Sequence, residues 1–459
     1  MKSRKAEIGS RVHAIPTVEF EEGRRQLTPF SGLVLFQALF QALGLAARMR
    51  RCFAHLDRER VFGLARVCLQ LIVHVLLGFR RLRDRDIYAD DPLVRRVLRV
   101  RRVPDVATIS RTLSSGDARS VDKLRELKRE LVLERMEAEA LPRVTADFDG
   151  SALTTSRKAE GTAVGFNKKR KGARSYYPLF CVVAQLGMFF DMLHRPGNVH
   201  DSRGAKAFIR ECIGAIRARL PRAVIECRLD SAFFHQDILQ ALEQLGVEYA
   251  AAVPYLGHTT LRHLVDSRQR WRVIDREWSF FEHSWRPKSW SSRRRLIVVR
   301  HRRARRRKGP LQLDLFEPVE HEFDYKVIVT NKTLSAAAVI KFFNGRGLQE
   351  KTYGEAKQFA SMEYIPCKRR VANQLYLVCC MLAHNVSREL QLRAAPVRRP
   401  TTPTRSSIFE LETLGTIRDR LLRRAGRLTN PRRELTLTIG ASGAAREEFE
   451  HLLEHLQAA

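Results

Sequence analysis

Thr145-Ala146-Asp147-Phe148-Asp149-Gly150-Ser151 closes a short apolar run that begins at Arg143, and Arg228-Leu229-Asp230-Ser231-Ala232-Phe233 closes a second one that begins at Ala223. Each stretch reads as a strand that breaks into a turn just after an aspartate. Asp147 and Asp149 stand two apart, so on a strand they share a face. Carboxylates ending a buried strand repel one another and rise in pKa unless a cation stands between them. The alternative for Asp147 and Asp149 is a pair of solvated turn residues, and for Asp230 an ordinary cap on the helix expected from Gln236.

Between and after these two stretches the pattern is β-β-β-α-β-α-β. Tyr177–Gln185 and Met188–His194 flank Gly187 as a hairpin, and a helix capped near Ser202 carries Phe208, Ile209, Ile213 and Ile216 on one face. The strand Ala223–Leu229, the helix Gln236–Leu245 and the strand Glu248–Val253 complete the set. This order predicts an α/β fold with a ribonuclease-H-like catalytic core, a mixed sheet flanked by helices in which the first, fourth and fifth strands run parallel. Ligands of such sheets sit at the carboxyl ends of the parallel strands, which is where Asp149 and Asp230 fall.

Outward from the core the texture changes. Residues 1–27 read as a flexible basic arm. Residues 28–142 are helical in period and are expected to form an all-helical, DNA-binding N-terminal domain; within it Pro104–Arg111 resembles the turn and recognition helix of a helix-turn-helix, or else a plain helix start capped by Asp105. The core is assigned to 143–253 and 341–393. A β-rich insertion, 254–340, interrupts it with alternating runs such as RWRVIDREWSFFEHSW, RRRLIVVRH and FDYKVIVTN. Residues 394–459 read as a linker (APVRRPTTPTR) and a C-terminal tail.

The charge is lopsided: 83 Lys and Arg against 50 Asp and Glu give a formal +33, with 44% apolar residues. A globular chain with that surplus points to a polyanionic partner, and nucleic acid is the usual one. Arg300–Lys308 (RHRRARRRK) holds seven basic residues in nine and Lys168–Arg174 (KKRKGAR) is similar; runs so dense are costly without phosphates nearby. The eight cysteines form no Cys-x-x-Cys pair and read as reduced core thiols. No apolar run is long enough to span a bilayer and the N-terminus lacks a secretory signal, so a soluble cytoplasmic protein, associated with the nucleoid and not with a membrane, is expected.

A third acidic candidate lies in Phe343-Asn344-Gly345-Arg346-Gly347-Leu348-Gln349-Glu350, continuing to Lys357. Arg346, Glu350 and Lys357 are spaced by four and seven and line one helical face. A solvated face with i,i+4 pairing has the same spacing; its position after two strand-end aspartates is what draws attention to it. Carboxylate oxygens suit hard divalent cations, which can activate an attacking oxygen and stabilise a leaving one in phosphodiester chemistry.

Taken together, ADFDGS, the YYPL run at Tyr176–Leu179, RPGNVHDSRGA, RLDSAFF, GRGLQEKTYGEAK and RRVANQLYLVCCMLAHN resemble the DDE transposases of bacterial insertion sequences, in the superfamily with a Tyr-x2-Arg-x3-Glu-x6-Lys signature and, within it, insertion-sequence family thirteen-eighty. The resemblance implies metal-dependent cleavage and strand transfer at the ends of a mobile element, with two Mg2+ ions (Mn2+ as substitute) held by Asp149, Asp230 and Glu350. Asp147 is the competitor of Asp149 or a supporting metal ligand, and Glu355 is an alternative acid outside the signature register. Arg346 and Lys357 match the cations that grip phosphates. Lys168, Lys169, Arg170, Arg302, Arg303, Arg305, Arg306 and Arg307 are assigned to the DNA backbone, and double-stranded DNA (terminal repeats and target) and a homodimer in the DNA complex are the implied partners. Relatives stack an extruded base on a tryptophan of the insertion, where this chain has Trp271, Trp278, Trp285 and Trp290. Phe343 departs from the signature tyrosine and lacks its hydroxyl. The rival readings are a decayed copy that only binds DNA and a structure-specific nuclease on the same core.

Overall fold

Strand β1, Arg143–Gly150, lies inside a nine-stranded mixed sheet. The computed structural model describes residues 26–56, 62–156, 158–165, 167, 170–200, 202–302, 323–394, 397–399, 402, 408–431 and 434–457. The other strands of this sheet, numbered in chain order, are β2 (Leu179–Val183), β3 (Met188–Leu193), β4 (Val224–Leu229), β5 (Glu248–Ala252), β6 (Arg272–Val273), β7 (Trp278–Trp285), β8 (Arg294–Arg302) and β9 (Phe323–Thr330). Across the sheet they run β6-β7-β8-β9-β5-β4-β1-β2-β3.

β1 pairs in parallel with β4, and β4 with β5. β2 and β3 form the antiparallel hairpin expected around Gly187, whose φ of 60° supplies the left-handed turn. The run from 254 to 340 was read as an interruption of the core. Its strands extend the same sheet instead, because β9 lies antiparallel on β5 and covers what would otherwise be an unpaired edge. Arg300, inside the basic run, is packed: its guanidinium lies 4.4 Å from the Trp271 ring centroid and 4.6 Å from that of Phe323.

The helices are α1 (Leu33–Ala42), α2 (Leu45–Cys52), α3 (Leu64–Leu77), α4 (Pro92–Leu98), α5 (Val106–Ser114), α6 (Ala118–Ala138), α7 (Ala205–Arg219), α8 (Gln236–Gln244), α9 (Thr259–Asp266), α10 (Ala336–Asn344), α11 (Gly347–Phe359), α12 (Arg370–Ala394), α13 (Leu414–Ile417) and α14 (Gly443–Gln457). One face of the sheet, carrying Val144, Ala146, Phe148 and Ile225, packs on Phe208, Ile213 and Ile216 of α7 and Ile238 and Leu242 of α8. The opposite face, through Phe180, Val182 and Phe189, meets Tyr353 of α11 and Tyr376 of α12. Helix α12 is buried almost all round from Leu375 to Leu392, apolar as far as Ala383 and then carrying buried polar groups such as Asn385, Arg388 and Glu389. Its outer side packs against Leu71, Ile72 and Val75 of α3 in the same core.

Helix α5 begins with Asp105 as cap, its carboxylate accepting from Thr108 N at 2.7 Å, so the plain helix start is the local cause of that turn. Residues beyond 408, read from the sequence as linker and tail, place Leu414, Ile417, Leu421, Leu452 and Leu456 in the core shared with α1 and α3. A short strand at Gly426–Thr429 also pairs with Leu27–Thr28. All eight cysteines are buried and unpaired. Among the described residues no helix is long and apolar enough to cross a membrane.

Candidate metal and nucleic-acid site

The parallel register of β1 on β4 sets Asp147 opposite Arg228 and Phe148 opposite Leu229. One step further along both strands come Asp149 and Asp230, at the carboxyl end of the parallel pair. Each aspartate spends one oxygen on its own turn. Asp149 Oδ1 accepts from Gly150 N at 2.9 Å. Asp230 Oδ1 accepts from Ala232 N at 3.0 Å and from Ser231 Oγ at 2.9 Å, capping the 3-10 turn Ser231–Phe233. The second oxygens converge: Arg346 Nη2 donates to Asp149 Oδ2 at 3.4 Å and to Asp230 Oδ2 at 3.3 Å.

The electrostatics follow from that convergence. Burial pushes the Asp230 carboxyl up, but the Ala232 N–H, the Arg346 charge and the Ser231 hydroxyl outweigh it and hold the group below its ordinary value. Burial pulls Arg346 down, and Asp149 and Asp230 together raise it above its ordinary value. One guanidinium thus bridges two facing carboxylates and offsets one of their two charges.

Glu350 lies in the first turn of α11, where an acid suits the helix dipole, and Arg346 is the N-terminal cap residue of the same helix. Glu350 is exposed, whereas Arg346 is half-buried. Among the described residues no three His, Cys, Asp or Glu side chains are grouped closely enough to hold one ion, so the structure brings Asp149 and Asp230 together and leaves Glu350 one helical turn from the cation they share. Lys326 on β9 was not found from the sequence. Burial first, then Arg346, lower its ammonium, while Glu350 acts in the opposite sense; its Nζ donates to Asn344 Oδ1 at 3.3 Å. The signal was the alternation of FDYKVIVT, which fixes a face but not the neighbour across it.

Asp147 was expected as a metal ligand or as the competitor of Asp149. Its carboxylate is instead fully buried and accepts two bonds from Arg228, Nε to Oδ1 and Nη2 to Oδ2, both at 2.6 Å. The two aspartates do share a face, yet the partner strand offers an arginine to one and an acid to the other. Glu355, the alternative acid, is buried too; it pairs with Arg388 and accepts from Leu414 N at 2.9 Å. Phe343 packs with Val339, Ile340, Ile297, Val299 and Ile328, so its ring is a core group.

Lys357 reaches Glu363 Oε1 at 3.6 Å and lines a cleft of about 1110 Å³ together with Asp230, Arg170, Arg80, Tyr177 and Trp290. Arg302 ends β8, its backbone N–H bonded to Glu277 O. Lys168, Lys169, Arg303, Arg305, Arg306 and Arg307 lie outside the described residues. Trp290 is nearly buried, stacked on Phe234 at 4.5 Å with Arg294 5.1 Å from its centroid. Trp271 is flanked by Phe281 and Arg300, and Trp278 lies 4.2 Å from the His301 ring. Trp285 meets His258 edge-on at 5.3 Å.

A family model described as transposase DDE domain group 1 matches residues 12–459. The chain belongs to this family. Among solved structures, this transposase-family chain is similar to the piggyBac transposase synaptic complex with hairpin DNA, at 11% identity over 78% of this chain and 74% of that one, with a TM-score of 0.40. It is also similar to the Mos1 transposase paired-end complex with left transposon end, at 12% identity over 40% and 62% of the two chains, with a TM-score of 0.19. No curated protein sequence matches the transposase-family chain.

Proposed function

We propose that this chain is a DNA transposase of insertion-sequence family thirteen-eighty that cuts the ends of its element and joins them to target DNA, cut-and-paste, with a ribonuclease-H-like core. The observation that carries the reading is the pair Asp149 and Asp230, set side by side by parallel β1 and β4, with one oxygen of each converging on one positive group. The strand order β3-β2-β1-β4-β5, with β1, β4 and β5 parallel, supports the core assignment.

The donor set fits a hard divalent cation: two carboxylate oxygens aimed at one point where a cationic nitrogen already sits, with Glu350 on the adjoining helix turn. Asp149, Asp230 and Glu350 would hold two Mg2+ ions or their Mn2+ substitutes, which supply activation of the attacking oxygen and stabilisation of the leaving one. Asp147 is left out of that set because Arg228 occupies both its oxygens. Arg346 would give up the aspartates to a bound cation and grip the scissile phosphate instead. Lys357 and Arg170 hold the backbone along the cleft, and the basic run from Arg302 onward extends that contact. Double-stranded terminal repeats and target DNA are the substrates, acted on by a homodimer in the bacterial cytoplasm at the nucleoid.

A second reading, a chain that occupies its ends without cutting, draws on the separation of Glu350 from the two aspartates. Incubating the protein with its own flanking DNA and Mg2+ or Mn2+ decides between them. Excised and joined products that vanish in Asp230→Asn, with DNA binding intact or slightly tighter, are expected. Cleavage retained in Asp230→Asn removes that residue from the site, and cutting without joining leaves a nuclease.

A further inference from the structure

We infer that Arg228 is a positioning residue that sets the geometry of the metal-holding aspartates through a single three-way clamp. The inference rests on the functional reading above and concerns how this chain builds its site.

Arg228 is 5% exposed and Asp147 is wholly buried. Burying two charges costs several kcal/mol of desolvation per ion, and an apolar pair of the same volume often serves stability as well or better. Stability alone therefore does not account for this pair; its geometry does more. Nε and Nη2 are committed to Asp147, two residues before Asp149 on β1. Arg228 itself lies two residues before Asp230 on β4. Its third nitrogen, Nη1, donates to Phe342 O at 3.2 Å, a carbonyl in the last turn of α10 that also accepts from Gly345 N at 3.2 Å. Phe342 stands four residues before Arg346. The three side chains that meet above, Asp149, Asp230 and Arg346, are thus each tied, within four residues of chain, to one rigid planar fork.

Gly345 supports the same conclusion. A methyl group there would collide with Arg228 Nη1. A free arginine tip could swing aside, but this one is held by two bonds to a buried carboxylate. Glycine is what lets the α10–α11 junction close on the clamp.

Two variants and two readouts test the inference. The double variant Asp147→Leu with Arg228→Met fills the same space without charge. Gly345→Ala keeps both charges of the ion pair and pushes on Nη1, shifting the rigid fork as a whole. For each, Mn2+ affinity is measured by calorimetry on the full chain, and single-turnover cleavage and Kd are measured on its own end DNA. A group that orients metal ligands typically changes metal affinity or activity about 10–100-fold when removed. The double variant is expected to keep a melting temperature near that of the wild type, to bind Mn2+ about tenfold more weakly and to cleave about 100-fold more slowly, with Kd for DNA unchanged. Gly345→Ala is expected to show the same losses in smaller measure. Wild-type Mn2+ affinity in both variants overturns the inference, and if the double variant does not fold, Gly345→Ala alone decides it. Wild-type protein that binds Mn2+ but never cuts overturns the functional reading alone, whereas wild-type protein that binds no Mn2+ overturns both.

Discussion

Two rungs of the same strand pair, two residues apart, have opposite fates. On the lower rung Asp147 meets Arg228: buried, bidentate, both bonds 2.6 Å. On the upper rung Asp149 meets Asp230: half-buried, acid beside acid, bridged by one nitrogen of Arg346 at 3.4 and 3.3 Å. Distances beyond 3.2 Å are long for charge-assisted bonds. Two carboxylates within reach of one nitrogen repel by roughly 2–4 kcal/mol at an effective dielectric near 20. The lower rung is therefore a tight pair and the upper one a loose one, held by a cation that a harder and more highly charged one can replace. The partner changes from an arginine on β4 to an aspartate just past its end, and on the proposed reading this separates a structural rung from a binding one.

Asparagine substitutions should split the two rungs cleanly. Asp149→Asn is expected to lower single-turnover cleavage of end DNA by about a thousandfold or more, a loss of roughly 4 kcal/mol of transition-state stabilisation. Its urea-unfolding midpoint should change little, because it removes one of two repelling charges. Asp147→Asn should do the reverse in stability, since it leaves Arg228 buried without its counter-charge. A loss of about 3–5 kcal/mol in urea unfolding is expected. If Asp147→Asn unfolds like the wild type while Asp149→Asn is the unstable one, the contrast between the rungs is wrong.

The sequence made one rung readable and hid the other. Asp149 and Asp230 were legible because each ends an apolar run and precedes a turn, and because the β-α-β order brings those ends together. Asp147 was read with them, since a period of two puts it on the same face as Asp149. Its fate depends on Arg228, 81 positions away, through a parallel register that no local pattern specifies. The same limit applies to β9, whose alternation was legible but whose pairing to β5 was not. The C-terminal residues show it again: Leu414, Ile417 and Leu421 looked like tail because their partners on α1 and α3 lie more than about 330 residues earlier. Arg346 was read from its spacing as sharing a helix face with Glu350; it is the cap residue just before that helix, and its role as counter-charge to both aspartates emerged only in three dimensions.

That role gives a sharper test of the upper rung. Arg346→Met removes the cation that the aspartates share without adding bulk. Metal then no longer competes with a tethered charge, so Mn2+ affinity measured by calorimetry is expected to rise by about three- to tenfold, up to ~1.4 kcal/mol. Cleavage should fall in the same variant, because the phosphate loses its guanidinium. Affinity that drops along with cleavage would make Arg346 a support of the metal site and not its rival.

The smallest effect concerns which cations face the DNA. Lys326 is exposed on β9, close enough to Arg346 and Glu350 for both charges to act on it, whereas Arg228 is sealed beneath. Only a cation open to solvent can release counterions when a phosphate arrives. Lys326→Met should therefore weaken end-DNA binding by a few fold and reduce the slope of log K against log salt by about one. The Asp147→Leu, Arg228→Met double variant should leave that slope untouched, although it removes a charge of the same sign from a position two residues below Asp230. Equal slopes in the two variants would mean that depth beneath the upper rung does not separate structural from DNA-facing charge, and Lys326 would then belong with the lower rung.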